Sequence, residues 1–148
     1  MTNVPADALA SRVANAMLAS EGTGPAWGIE IEDAREGYSR IRMRLRPDML
    51  NGHGKAHSGM VYALADTAFA YACNSRNLRT VGAQATMVFL DGAEAGEVLI
   101  AEAREQALVA RSGVYNVSVR TETGRPIAEF QGFSRSIGGS YIEPGDSE

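Results

Sequence analysis

Cysteine occurs once in this chain, lysine once and histidine twice. A single cysteine, Cys73, excludes an intramolecular disulfide and a cysteine-based metal cluster within one chain; in the apolar stretch where it sits it reads as a small buried hydrophobe. Two histidines, His53 and His57, make a histidine-rich metal site within one chain unexpected. No run reaches the roughly 18 apolar residues that a membrane helix needs. The N-terminus lacks the basic start and apolar core of a secretion signal. The chain is therefore read as cytoplasmic, and the sequon Asn116 to Ser118 is discounted. There is no G-x-S-x-G elbow, P-loop, Rossmann glycine fingerprint or H-E-x-x-H, which removes several enzyme classes. Internal repeats and low-complexity blocks are missing too. The net charge of −4 offers no global attraction to nucleic acid or to acidic membranes, and neither is an expected partner.

What is present fits one soluble domain. At 148 residues, 45% hydrophobic and 22% charged, a chain of this kind buries roughly two-thirds of its unfolded surface. Positive charge is carried by thirteen arginines and Lys55. Four of the arginines alternate with apolar residues from Tyr38 to Arg46: Ile41, Met43 and Leu45 face one way, Arg40, Arg42, Arg44 and Arg46 the other. The stripe reads either as a phosphate or nucleic-acid contact or as a solvated strand face with Glu30 or Glu32 of the preceding strand opposite it. The second reading keeps both apolar faces on one side and is preferred.

Residues 51–75 organise the rest. A polar, glycine-rich loop from Asn51 runs into an apolar segment in which Met60, Leu64, Ala65, Ala68, Phe69, Ala72 and Cys73 recur at helical spacing. Val61, Tyr62, Ala63, Ala70 and Tyr71 fill the other faces, and a helix apolar all round is a buried one. The one charge is Asp66, and buried carboxylates are rare unless paired or used. The helix is expected to start between His57 and Gly59 with Ser58 as N-cap; its first N–H groups suit an anion or a developing oxyanion. Asp66 is nine residues beyond His57, roughly 13 Å along the axis and on the opposite side. One chain cannot bring both to the same atom, but two chains can, so an active site here belongs at a dimer interface.

Around this stretch the pattern predicts a helix over 6–20, strands over 27–32 and 38–46, a nearly uncharged and hence central strand over 81–90, and strands over 97–106, 112–121 and 126–137. Residues 1–5 and everything from Gly138 onward are expected to be loose. Short links between consecutive strands mean antiparallel hairpins.

Residues 51–75 resemble the hot-dog fold thioesterases, most closely the phenylacetic-acid-degradation type. That family carries an Asn, five residues, His-Gly-Gly, then an Asp within the helix. Here Asn51, His57, Ser58, Gly59 and Asp66 stand at matching spacing. The run Leu64 to Ser75, residues 113–117 and the closing Ile137 to Gly139 are also similar, so the resemblance spans roughly residues 26–139. It implies an α+β hot-dog fold, a curved antiparallel sheet of five to six strands wrapped around one long central helix, preceded by an N-terminal helix and linker (1–25) and followed by a flexible tail (140–148). It implies homodimers at a minimum, commonly homotetramers, and hydrolysis of acyl-CoA thioesters, often aryl-acetyl ones such as phenylacetyl-CoA or hydroxylated aryl-acyl ones, without metal or redox cofactor. Asp66 would then activate water or attack the carbonyl. Backbone N–H groups of Ser58 and Gly59 from the partner chain would hold the thioester oxygen. Asn51 would position water or the carbonyl, and His57 would orient the loop or hydrogen-bond near the carbonyl. Thr67 would support Asp66.

Each assignment has a plainer alternative: Asp66 as a paired structural acid, Asn51 as a turn residue, His57 as a cap or core histidine, Ser58 as an N-cap. The chain departs from the family at Ser58, where Gly is usual, at Gly92, where Pro is common, and near residues 108–112, where Arg111 would take the place of a Gly-Lys pair against the CoA phosphates. A non-catalytic acyl-CoA-binding or assembly protein is the main alternative function. Hydration or dehydration of a thioester is a weaker one, because His57 is remote from Asp66 in its own chain.

Overall fold

The computed structural model describes residues 4–143. Helix α1 (Val4–Ser20) and a short helix α2 (Thr23–Trp27) precede strands β1 (Glu30–Arg35) and β2 (Tyr38–Arg44). The long helix α3 (Ser58–Cys73) follows, then β3 (Thr80–Phe89), β4 (Val98–Val109), β5 (Ser112–Thr121) and β6 (Pro126–Ser136). The six strands form one antiparallel sheet in the order β1-β2-β4-β5-β6-β3. This is the α+β hot-dog architecture, with α3 lying in the curve of the sheet.

The core forms where α3 meets the sheet. Leu64, Ala65, Ala68, Phe69 and Ala72 are buried against Ile41 and Met43 of β2, Leu99 and Ala101 of β4, and Val117 and Val119 of β5. Small residues let the helix come close, and glycine completes the fit. The Phe69 ring lies where a side chain on Gly132 would be, 2.9 Å from an ideal Cβ. The Phe69 ring also meets Tyr115 and Phe130 at centroid separations of 5.5 and 5.8 Å. Cys73 is buried, and burial pushes its thiol pKa up to about 12, as inert as a small hydrophobe should be.

Four expectations change. Trp27 closes α2 rather than opening a strand, and β1 begins at Glu30. Pro25 sits in the first turn of that helix, where its missing N–H costs nothing, and Gly28 ends it in the left-handed region at φ 68°. Strand β3 lies at the sheet edge, not centrally, with most of its residues exposed; an uncharged strand need not be covered by its own chain. Helix α3 is not buried all round, since Ser58, Gly59, Tyr62 and Asp66 are exposed. Residues 138–143 are tied down rather than loose. Asn77 Oδ1 accepts from the Tyr141 and Ile142 amides, Arg79 Nε donates to the Ser140 carbonyl, and the Tyr141 hydroxyl meets Ser20. Residues 1–3 and 144–148, also expected to be loose, lie outside the described residues.

The arginine stripe is a solvated, paired face. Arg40 and Arg42 meet Glu32 at 2.7 and 3.6 Å, and Arg42 also meets Glu122 at 3.5 Å. Arg44 donates to the Gly96 carbonyl and Arg46 pairs with Asp48. No helix among the described residues is long and apolar enough to cross a membrane.

Candidate active site

The N-terminus of α3 is built by the loop before it. Asn51 Oδ1 accepts from the amides of His53 (2.9 Å) and Lys55 (3.1 Å), and the Asn51 amide donates to the Lys55 carbonyl at 2.7 Å. The side chain thus closes the turn as an Asx motif, while its Nδ2 hydrogens have no partner among the described residues. The N-cap is His57, not Ser58. His57 has extended geometry (φ −61°, ψ 133°), and its Nδ1 accepts from the Gly59 amide at 2.9 Å. Ser58 is instead the first helical residue, and among the described residues neither its N–H nor its hydroxyl has a partner. Of the two expected oxyanion donors, Gly59 is occupied by the cap and Ser58 is open. Residues Asn51, Lys55, Ser58 and Val61 line a recess of about 320 Å³ together with residues 89–93 at the end of β3.

Asp66 lies elsewhere. It shares a recess of about 330 Å³ with Tyr62 and Phe69 of α3 and with residues 82–85 of β3. Asp66 makes no hydrogen bond or ion pair to any described residue. Its carboxylate reaches solvent, yet the surrounding ring and backbone atoms strip enough hydration to raise its pKa above the usual 3.8. Among the described residues Thr67 makes no hydrogen bond to Asp66; its Oγ1 donates 2.7 Å back to the Ala63 carbonyl. Asn51 and Ser58 are therefore brought together, and both are kept apart from Asp66.

The two recesses lie along one strand. The Asp66 recess borders residues 82–85 and the Ser58 recess residues 89–93, and β3 is the free edge between them. Ala83 is an extra residue, since Gly82 pairs with Ser134 and Gln84 with Phe133; such a bulge re-aims the side chains beside it.

Two lining residues escape a reading by sequence pattern. Tyr62 counts as apolar when periodicity is scored, although its position four before Asp66 puts both on one face. Gln84 is set beside Asp66 by strand pairing and a bulge that have no local signature. Arg111 is exposed in the β4–β5 turn, with its carbonyl accepting from the Ser136 amide. It forms no ion pair with the described residues and neighbours Arg135, which pairs with Ser112. No three His, Cys, Asp or Glu side chains among the described residues converge as metal ligands.

Comparison with known proteins gives a consistent picture. Residues 53–128 match the model of the Thioesterase superfamily. The chain is 39% identical over 127 residues to the acyl-coenzyme A thioesterase PaaI of Escherichia coli K12, covering 86% of this chain and 91% of that protein. The solved structure of the E. coli PaaI protein from the phenylacetic acid degradation operon superposes with a TM-score of 0.89 at 37% identity, over 90% of this chain and 97% of that one. The phenylacetic acid degradation protein PaaI of Thermus thermophilus, solved as a point mutant, superposes with a TM-score of 0.74 at 34% identity, over 77% and 97%.

Proposed function

Because the chain belongs to the Thioesterase superfamily and is a thioester hydrolase, we propose that it cleaves aryl-acyl-CoA thioesters of the phenylacetyl type to the free acid and CoA, at sites shared by two copies. The observation that carries this reading is the layout along β3. An exposed, nearly uncharged edge strand of ten residues is a template for pairing. Antiparallel pairing about a two-fold axis near the middle of β3 sets residues 82–85 of one copy opposite residues near 89 of the other. The Asp66 recess of each copy then meets the Ser58 recess of its mate. The exposed Val81, Val88, Phe89 and Leu90 become covered in the same step. Two such dimers would make the tetramer.

In this arrangement the thioester oxygen accepts from the Ser58 N–H, supported by the positive end of the α3 dipole. The free Nδ2 of Asn51 steadies the carbonyl or the water. Asp66 takes a proton from water as the water oxygen adds to the carbonyl carbon; the carbon–sulfur bond then breaks and the CoA sulfur leaves with a proton. Direct attack by Asp66 through an anhydride uses the same positions. His57 holds the loop as the cap. Arg111, with Arg135 beside it, is offered to the CoA phosphates. The Ser58 hydroxyl, where a glycine is usual, adds a donor at the carbonyl.

The test is thiol release from phenylacetyl-CoA by the wild-type chain and by Asp66→Asn. Release that the substitution abolishes supports the reading. A folded dimer that releases no thiol from any acyl-CoA refutes it and favours a protein that only binds acyl-CoA.

A further inference from the structure

The Ser58 recess is held in shape by a residue outside it. One wall is residues 89–93, and from Leu90 to Glu97 the chain has no strand or helix, only a turn. A segment of this kind opens at little cost unless other elements hold it. Arg125, half-buried in the β5–β6 turn, supplies the hold. Its backbone is fixed first: the Arg125 amide donates to Thr121 Oγ1 at 3.0 Å, and its carbonyl accepts from the Thr121 amide at 2.9 Å. The guanidinium then serves three acceptors of the segment. Nη1 donates to Asp91 Oδ2 at 2.6 Å and to the Gly92 carbonyl at 2.7 Å, and Nη2 donates to Glu97 Oε1 at 2.7 Å. The Arg125 contact holds the Asp91 carboxyl below its usual 3.8, and the Glu94 amide together with Arg125 holds Glu97 below its usual 4.5, so the cluster stays charged at neutral pH.

The hold passes to the entrance of α3 along two short routes. Ala93, next to Gly92 and fully buried, accepts from the Ala56 amide at 2.7 Å. Glu97 Oε2 accepts from the Glu94 amide at 2.7 Å, and the Glu94 carboxylate pairs with Lys55 at 2.5 Å. Lys55 and Ala56 immediately precede the cap His57 and the first helical residue Ser58. A planar fork reaches three acceptors in different directions at once; an ammonium on a flexible stem holds fewer of them in place. We propose that Arg125 is a positioning residue for thioester hydrolysis: it fixes the wall at Asp91 and Gly92 and, through Ala93 on Ala56, the direction of the Ser58 N–H. The inference rests on the reading that this N–H receives the thioester oxygen. A donor displaced by about 1 Å from that oxygen loses most of what it gives the transition state, and such misplacement costs up to about a hundredfold in rate.

Wild type is compared with Arg125→Gln, Arg125→Lys and, as a control for charge, Arg120→Gln, which alters an exposed arginine of β5. kcat and KM are measured on phenylacetyl-CoA, or on whichever acyl-CoA of a panel the wild type cleaves fastest. Urea midpoints, sedimentation and hydrogen exchange of the Ala56 amide are followed alongside. Arg125→Gln should lower kcat roughly ten- to hundredfold with KM little changed. It should speed Ala56 exchange and leave the Val117 amide of the sheet as protected as before. Arg125→Lys, which keeps the charge but not the fork, should show both effects at reduced size, and it decides the matter if the glutamine variant does not fold. Arg120→Gln should match wild type. Four results overturn the proposal: a kcat that falls only in step with the folded fraction, unchanged Ala56 exchange, an equal loss in Arg120→Gln, or a raised KM at unchanged kcat, as direct contact with the CoA phosphates gives. Full activity in Arg125→Gln refutes this role alone. No hydrolysis of any acyl-CoA by wild type refutes the proposed function and this role with it.

Discussion

Asp66 holds its proton more tightly in the folded chain than in the unfolded one, because its recess partly dehydrates the charged form. Two outcomes follow from that one displacement. If the carboxylate is the base, activity falls on the acid side with an apparent pKa above the ordinary 3.8, read from a kcat/KM profile. Asp66→Asn removes that limb and lowers turnover by roughly 10²- to 10⁴-fold. Stability moves the other way. The folded state binds more protons than the unfolded state between the two pKa values, so stability is lost as pH rises through them and stays lost at neutral pH. Asp66→Asn should therefore raise the urea midpoint at neutral pH while abolishing activity, the pattern of a group kept for function. Asp66 is legible in the sequence because a lone carboxylate in an apolar helix needs a reason. Tyr62 is not, because a phenol scores as apolar and only the sheet edge reveals that its face is open. Ser58 and His57 exchange roles for a related reason: both cap helices, and backbone geometry alone decides which of two adjacent residues does so.

The ends of elements are where side chains hold this fold in register. Asn74, the C-cap of α3, is buried, and its amide clamps helix to strand: Nδ2 donates to the Ala70 and Thr80 carbonyls at 2.9 and 3.0 Å, and Oδ1 accepts from the Thr80 amide at 3.0 Å. Asn74→Ala strands those backbone groups and should cost about 1–3 kcal/mol in a denaturant titration. Just beyond, Arg76 grips Glu105 through two parallel contacts of 2.8 Å and reaches Glu36 at 2.8 Å, while the Tyr115 hydroxyl donates to the same Glu105 carboxylate. The Arg76 contact holds the Glu105 pKa below its usual 4.5. A carboxyl group with a lowered folded pKa stabilises above its unfolded value, and that contribution is lost as pH falls through the folded one. Glu105→Gln should thus lower stability at neutral pH and flatten the loss of stability as the pH falls below the usual 4.5. These clamps are not legible from pattern, since periodicity places strands but not the pairings or bulges that bring Glu105 to Arg76. Local chemistry misleads in the same way at Trp27. Glycine and proline there mark a break in a helix, and the chain uses them to begin another.

For the whole molecule, the decisive feature is the free edge of β3. In the sequence its lack of charge signals burial, which one chain does not provide and which the proposed pairing with a second copy would supply. Val88→Lys puts a charge on that edge at a residue 59% exposed in the single chain, and should yield monomers by sedimentation together with loss of activity. A sharper check uses hybrids. Asp66→Asn and Asn51→Ala chains, each inactive alone, should recover roughly a quarter of wild-type activity on random mixing, because half the dimers carry one site with both halves intact. No recovery would put both residues in a single-chain site.

The scarcity of lysine also bears on the life of such an enzyme. Acyl thioesters slowly acylate free amines, and a hydrolase that concentrates them is its own nearest target. Thirteen of the fourteen cationic side chains are guanidinium groups, which stay protonated and unreactive toward acyl donors. The one amine side chain, Lys55, borders the Ser58 recess and is held by the Glu94 carboxylate at 2.5 Å. An arginine-based surface carries the charge that solubility needs and offers reactive acyl groups almost nothing to modify.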